Sequence, residues 1–570
     1  MKNRYWTLAV GIIIGIIAFG IIEIWVAKYE KSDLVDEVMA ELDAKKFQLA
    51  VTSSNKDNGM ISYIKWWYHE KEEKYYLFLP GSWENGGNTE LYWIFSTVEE
   101  ILLNDKKILN GDVFYIDSGN YIVIAAGKKY NVVILYSSDI PSLFIETQSG
   151  KLDYIHESKE NIESAKYVLY DEKGKLNNNG AIAKMFCRGN SSFSDAEKKS
   201  YHLDLSEKSR ILDLGEEKDW LLIGSDVDRT LSRNKIVNSL AKELSMEYVP
   251  DMQYVDLFAN GEYLGNYLLT EKIEIGSDRV NIRDLEKETE LGNPGLDFST
   301  CENVIEDPNK LFSRKWWKIP NEPADYTGGY LLEIELSDRY GLEPSGFITS
   351  RMQAVVVNSP KYATLNQIGY IADIYQDFED AVFSETGYNK KTGKYFYEYI
   401  DIDSFAIKYM VEELVKNLDA SYTSCFLYKP EYDTKIYAGP VWDYDMAINV
   451  GATTNEGIDL EEPEGLYVAY SKKDSDLWYA LYKQQYFKKH IDTLCNNRFE
   501  ETTRKFIETK IDANTKLIMN SGVMNSIRWD KIEGENPEEI KEIFIEVNNE
   551  LKDFLYKRLQ WLIKEWEYNE

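Results

Sequence analysis

The stretch from 415 to 449 places the tightest constraint on how this chain can fold. "SCFLYKP" (424–430) and "KIYAGPVW" (435–442) are both β-rich, and "EYDT" between them reads as a turn. With the turn centred between Tyr432 and Asp433, the numbers of antiparallel partners sum to about 865. Position 422 then faces 443, and 419 faces 446. The hairpin therefore carries Asp419, at the exit of a helix ending in "VKNL", towards Asp443 and Asp445. "VWDYD" reads as strand, and aspartates two apart on a strand point to one face. Carboxylates so placed repel unless a cation, a proton or solvent relieves them. A hard divalent cation such as Mg2+ accepts such oxygens and keeps waters or substrate phosphates as its other ligands. A carboxylate off the metal can orient a hydroxyl nucleophile. The plain alternative is a solvated strand end with an aspartate capping a turn.

Three earlier segments carry further candidates. In "CRGNSSFSDAEKKSYHLDL", Gly189 and the small polar Asn190, Ser191 and Ser192 lie between two strands, where backbone N–H groups can approach an anion. Arg188 adds a guanidinium fork. Lys198 and Lys199 open the next strand on opposite faces, so one of them can reach inward; a loop tip with solvated lysines is the bland reading. "DVDRTLSRNKIVNSLAKEL" has helical spacing, with Ile236, Val237, Leu240 and Leu244 as a core face and Arg233 able to pair with a carboxylate across a cleft. "NGEYLGNYLLTEKIEI" turns at Asn260-Gly261, a hairpin signal, and ends in Glu271 and Lys272, which mark either an exit to solvent or a cleft.

The 570 residues are enough for two or three domains. Short β-rich runs punctuated by Gly, Asn, Pro and Ser fill 56–170, a sandwich-like domain. Strands and helices mix over 171–460, and helical spacing dominates 461–570. Residues 28–55 read as a charged juxtamembrane helix or linker, and 293–320 as an inserted loop near the cleft. A net charge of −32 excludes passive binding to nucleic acid or anionic lipid. Cys187, Cys301, Cys425 and Cys495 are far apart with no CxxC, and only four His are present, so neither a zinc site nor a disulfide framework is suggested. "YWTLAVGIIIGIIAFGII" (5–22) carries no charge and resumes past Glu23 to Val26. Its length suits a single membrane crossing within 1–27; a cleavable signal peptide is the rival. Lys2 and Arg4 place the N-terminus in the cytoplasm and the bulk outside.

Taken in order, these segments resemble the CotH kinase family (spore coat protein H-like, atypical bacterial protein kinases). The resemblance rests on Arg188–Ser192 with Lys198-Lys199-Ser200-Tyr201, Asp228 with Arg233-Asn234, Asn260 to Glu271, Asn417-Leu418-Asp419, and Gly439 to Asp445. It implies an α+β chain: a divergent protein-kinase-like domain, preceded by the β-rich domain and the transmembrane helix and followed by the helical region. It also implies transfer of the γ-phosphoryl of ATP, with Mg2+ or Mn2+, to Ser or Thr of a spore-coat or cell-envelope protein. By position, Asp419 would be the catalytic aspartate, Asp443 the metal ligand, Asp445 an uncertain second ligand, Lys199 the phosphate lysine and Arg188–Ser192 a shortened phosphate loop. Arg233 and Glu271 would belong to the nucleotide side of the cleft. Ser424 stands where ordinary kinases place a metal-binding Asn, and is a weaker ligand. Two other readings are a silent structural module and a carboxylate-pair glycosidase. Side chains at i and i+2 of one strand are poorly spaced to flank a sugar.

Overall fold

The computed structural model describes residues 33–568 apart from 58, 87–89, 452–458 and 471–475. The apolar run 5–22 lies outside the described residues. Among those described, no helix is long and apolar enough to cross a membrane. Residues 33–40 are helical, and the strand Leu49–Asp57 follows. The β-rich part therefore starts inside the segment read as a linker.

Two sheets build that part. Met60–Lys65, Leu49–Asp57, Leu91–Phe95 and Asp112–Val113 form one, and six strands between Trp67 and Tyr136 form the other. Val51, Ile64 and Trp93 of the first share a core with Leu77, Ile101, Val123 and Ile134 of the second. This is the packing that period-two alternation requires when one face of each sheet is apolar.

A closed seven-stranded barrel comes next, in the order Ser142–Thr147, Glu163–Tyr170, Leu176–Arg188, Ser200–Arg210, Glu216–Ile223, Glu262–Glu271, Met252–Ala259. Ala165, Tyr167 and Leu169 point into its core, while Val168 and Tyr170 on the same strand face the sandwich core. A boundary at 170 therefore cuts through a closed sheet, because the first two barrel strands were read as sandwich. The closing pair explains this: Ser142–Thr147 pairs in parallel with Met252–Ala259. Parallel partners far apart in sequence leave no local turn signal. The Asn260-Gly261 hairpin forms as expected, with both residues at positive φ.

The helix Arg233–Glu243 leaves the barrel, and its apolar face joins a second core. That core lies under a seven-stranded sheet running from Asn303–Ile305 at one edge through Tyr330–Glu335 to Cys425–Lys429 and Tyr437–Ala438 at the other. Segment 293–320 is no free loop: Asn303–Ile305 and Arg314–Trp317 extend this sheet. The C-terminal helices are not a separate unit either. Trp478, Phe487, Ile507, Leu555 and Leu559 share the core of Phe405 and Met410. The helix Met519–Trp529 instead places Val523, Met524 and Ile527 in the sandwich core. Each amphipathic helix needs a sheet face to cover, and the faces lie on different modules.

Candidate active site

Asp419 is delivered by the helix Ile402–Val415. Asp401 caps its start, accepting the Ser404 N–H at 2.9 Å, and Lys416 ends it in a left-handed conformation (φ +43°). The Lys416 ammonium donates to the carbonyls of Asp459 (3.2 Å) and Glu464 (3.0 Å), which fixes the exit. Asn417 Oδ1 then accepts the Asp419 N–H (3.2 Å), and the Asp419 carbonyl accepts the Tyr422 N–H (2.8 Å).

The second carboxylate comes through the hairpin. Its observed pairs, Leu427 with Ala438 and Tyr428 with Tyr437, have the register worked from sequence. The Leu418 N–H reaches the Met446 carbonyl at 3.2 Å, which brings the two loops together as that register requires. The strand itself is shorter than expected. It stops at Ala438, and Asp443 is left-handed (φ +66°), so Asp443 and Asp445 are not strand neighbours on one face.

A buried network explains the break. Tyr444 turns inward: its hydroxyl donates to Glu412 Oε1 (2.7 Å), and its N–H donates to Asn234 Oδ1 (2.8 Å). Lys408 Nζ lies 2.6 Å from the same Glu412 oxygen and 3.0 Å from the Tyr444 hydroxyl. The other Glu412 oxygen accepts from Asn417 Nδ2 at 2.9 Å. Lys408, Glu412, Asn417 and Tyr444 are all buried. One carboxylate thus holds both the Asp419 turn and the Asp443 loop, and these bonds outweigh further strand pairing.

The aspartates feel one another. Burial, then the charges of Asp443, Asp228 and Asp419, push Asp445 up to about 7. Burial and Asp443 push Asp419 up to about 6, with Arg339 opposing. Ser424 donates to Asp443 Oδ2 at a long 3.4 Å. Glu333, on the central strand, is pushed up to about 8, mainly by burial, with Asp443 contributing.

Arg188 faces this group. Its guanidinium stacks 5.5 Å from the Trp442 ring; burial lowers it, and the charges of Asp443, Asp445 and Glu333 oppose that shift only in part. Gly189 is left-handed (φ +89°), a conformation that favours glycine, and a Cβ there would also displace the Ser192 hydroxyl. Asn190 offers its carbonyl to the N–H groups of Phe193 and Ser194, and Ser191–Ser194 form a single helical turn.

Four other candidates are engaged elsewhere. Lys199 Nζ donates to the carbonyls of Phe193 and Ala196, each at 2.6 Å. Lys198 Nζ is buried between the Asn266 carbonyl and Asn525 Oδ1. Arg233 pairs with Asp228 at 2.5 Å and donates to the carbonyls of Ile448 (3.1 Å) and Asn449 (3.2 Å), so it braces the loop after Asp445. Glu271 pairs with Arg279 (2.7 Å) and accepts the Asp251 N–H (2.7 Å). Sequence reasoning missed Arg339, which donates to Thr423 Oγ1 at 3.1 Å, and Glu333. Neither stands in a motif.

Between barrel and sheet lies a cleft of about 570 Å³. Ile273, Ile275, Leu331, Val357 and Phe426 line it together with a larger set of charged side chains, Lys272, Glu286, Lys287, Glu333, Glu343 and Lys361 among them. Asp443, Asp445 and Asp419 are hard oxygen donors and suit Mg2+ or Mn2+. Among the described residues, no three His, Cys, Asp or Glu form a ready metal cage.

No curated protein matches the chain. A family model described as CotH kinase protein matches residues 186–562, from the strand carrying Arg188 to the last helix. The span takes in well over half of the sequence and all three aspartates, and the chain belongs to the CotH kinase family.

Proposed function

We propose that this protein is an ATP-dependent protein kinase that phosphorylates Ser or Thr, on itself or on a spore-coat or cell-envelope protein. The observation that carries the reading is the shared electrostatic field of Asp419, Asp443 and Asp445, whose loops are tied by Glu412 and Tyr444, with Glu333 linking Asp443 to the cleft between barrel and sheet. In this reading the apolar side chains among the cleft's charged lining, Ile273, Ile275, Leu331 and Phe426, hold the base, and Arg188 neutralises phosphate. Asp443, with Asp445 and Ser424 as weaker candidates, would hold Mg2+ or Mn2+. The metal when bound supplies charge neutralisation on the phosphates. Asp419 orients the acceptor hydroxyl and takes its proton. Transfer of this kind depends on positioning, which the buried Glu412 network supplies.

The apolar run at 5–22 is proposed as the membrane anchor, with Lys2 and Arg4 on the cytoplasmic side and the bulk extracytoplasmic. Full-length protein in detergent, given labelled ATP and Mg2+ or Mn2+, should label itself or a Ser-rich protein. Asp419→Ala and Asp443→Ala should each lower labelling by orders of magnitude. Equal labelling by both variants and wild type would sink the assignment.

A further inference from the structure

We propose that Lys159, in the loop ahead of the barrel strand Glu163–Tyr170, is the lysine that contacts the phosphate chain of a nucleoside triphosphate in this cleft, together with Arg188 and Arg339. The inference rests on the phosphotransfer reading of the site. It starts from a gap in that reading, since both motif lysines are engaged away from the aspartates. Lys199 is held by two carbonyls of its own loop, and Lys198 is buried against Asn266 and the C-terminal helix.

Lys159 reaches the site from outside every motif and from outside the matched family region. Its ammonium donates to Asn190 Oδ1 at 2.7 Å and lies 5.8 Å from the Phe193 ring. That places it on the glycine turn, two residues from Arg188. Arg188 stacks on Trp442, the neighbour of Asp443, and Asp443 accepts from Ser424. Next to Ser424, Thr423 accepts from Arg339. Lys159 and Arg188 therefore flank the glycine turn, and Arg339 lies across from them beside Thr423, on the loop between Asp419 and Ser424. The charges of Arg339 and Arg188, after burial, weigh against the protonated form of Lys159, which sets the three cations in one field.

Among the described residues Lys159 has a neutral amide as its hydrogen-bond partner and no carboxylate within salt-bridge reach. Arg188 faces Asp443, Asp445 and Glu333, and Arg339 lies 3.8 Å from Glu335, so Lys159 is the cation of the three left to pair with an incoming anion. A triphosphate chain has the charge and the length to meet all three, and Asn190 holds the ammonium in place for it.

Titration calorimetry of the full-length protein in detergent, with Mg·ATP and with adenosine, tests this. Lys159→Met should raise the Kd for Mg·ATP about tenfold or more and leave adenosine binding unchanged, which also reports that the cleft is folded. Lys159→Arg should retain most of the affinity, and Lys199→Met should stay near wild type. If wild type binds Mg·ATP and Lys159→Met binds it equally well, the inference fails while the reading of the site stands. It fails too if Lys199→Met is the variant that loses ATP, or if Lys159→Met loses adenosine as well. Wild type that binds no Mg·ATP overturns the reading itself, and the inference with it.

Discussion

Glu412 is the residue on which both aspartate loops hang, and replacing it is the most demanding test of the structure. Its side chain receives three partners: Lys408 at 2.6 Å, the Tyr444 hydroxyl at 2.7 Å and Asn417 Nδ2 at 2.9 Å. Glu412 and Lys408 are 2% and 1% exposed. Tyr444→Phe removes the hydroxyl's bond to the charged Glu412 and the one it accepts from Lys408, and leaves the ion pair intact; the bond to the carboxylate alone is a loss of about 1.5–3 kcal/mol. Glu412→Gln keeps the shape but removes the charge, leaving Lys408 buried with the Tyr444 hydroxyl and a neutral amide. Breaking a buried pair in this way costs about 3–5 kcal/mol.

Urea unfolding followed by tryptophan fluorescence gives both differences, provided that m is unchanged. Phosphotransfer by each variant below its unfolding range gives the functional half. Both should lose activity beyond what the unfolded fraction explains, because Tyr444→Phe frees the Asp443 loop from Glu412 and Glu412→Gln weakens the anchor of both loops. A Glu412→Gln loss no larger than that of Tyr444→Phe would refute the claim that the buried charge organises this network. Full activity in both would refute its link to the aspartates.

The remaining expectations are simpler. Arg558, fully buried on the last helix, pairs with Glu413 at 2.9 Å and also donates to the carbonyls of Glu413 (3.0 Å) and Pro463 (2.9 Å). Arg558→Met should cost about 3–5 kcal/mol in urea unfolding, and a loss below that of an ordinary surface change would be fatal to the assignment. Burial lowers Lys198 to about 7, below its usual unfolded value. The unfolded chain then binds more protons between the two values, so this lysine makes stability rise as pH rises from about 7 towards 10. Lys198→Met should flatten that rise in thermal melts taken across the window. Gly189→Ala places a Cβ 1.8 Å from Ser192 Oγ at a left-handed position; it should weaken Mg·ATP binding while circular dichroism stays that of wild type.

Local rules made much of the molecule legible. The Asn260-Gly261 turn and the apolar face of Arg233–Glu243 each follow from residues close in sequence. The hairpin register followed as well, because a short turn fixes every pair behind it. What stayed hidden depends on partners brought from afar. The barrel closes through a parallel pair between strands distant in the chain. "VWDYD" reads as strand until Glu412 and Asn234 claim the hydroxyl and the N–H of Tyr444.

By itself, then, the sequence determined the hairpin register that brings the Asp419 turn to the Asp443 loop, the Asn260-Gly261 turn, and which family the motifs resemble. Periodicity, turn chemistry and hairpin register act over short separations, and one chain carries them in full. Tertiary structure alone decided where each cation goes. The adjacent lysines of "KKSY" diverge, Lys198 into a buried contact with Asn525 and Lys199 onto its own loop. Lys159, in a segment with no motif, arrives beside Asn190 instead. A long flexible side chain takes its place from the nearest acceptors and charges in space, and those are set only once the barrel has closed and the last helices have packed.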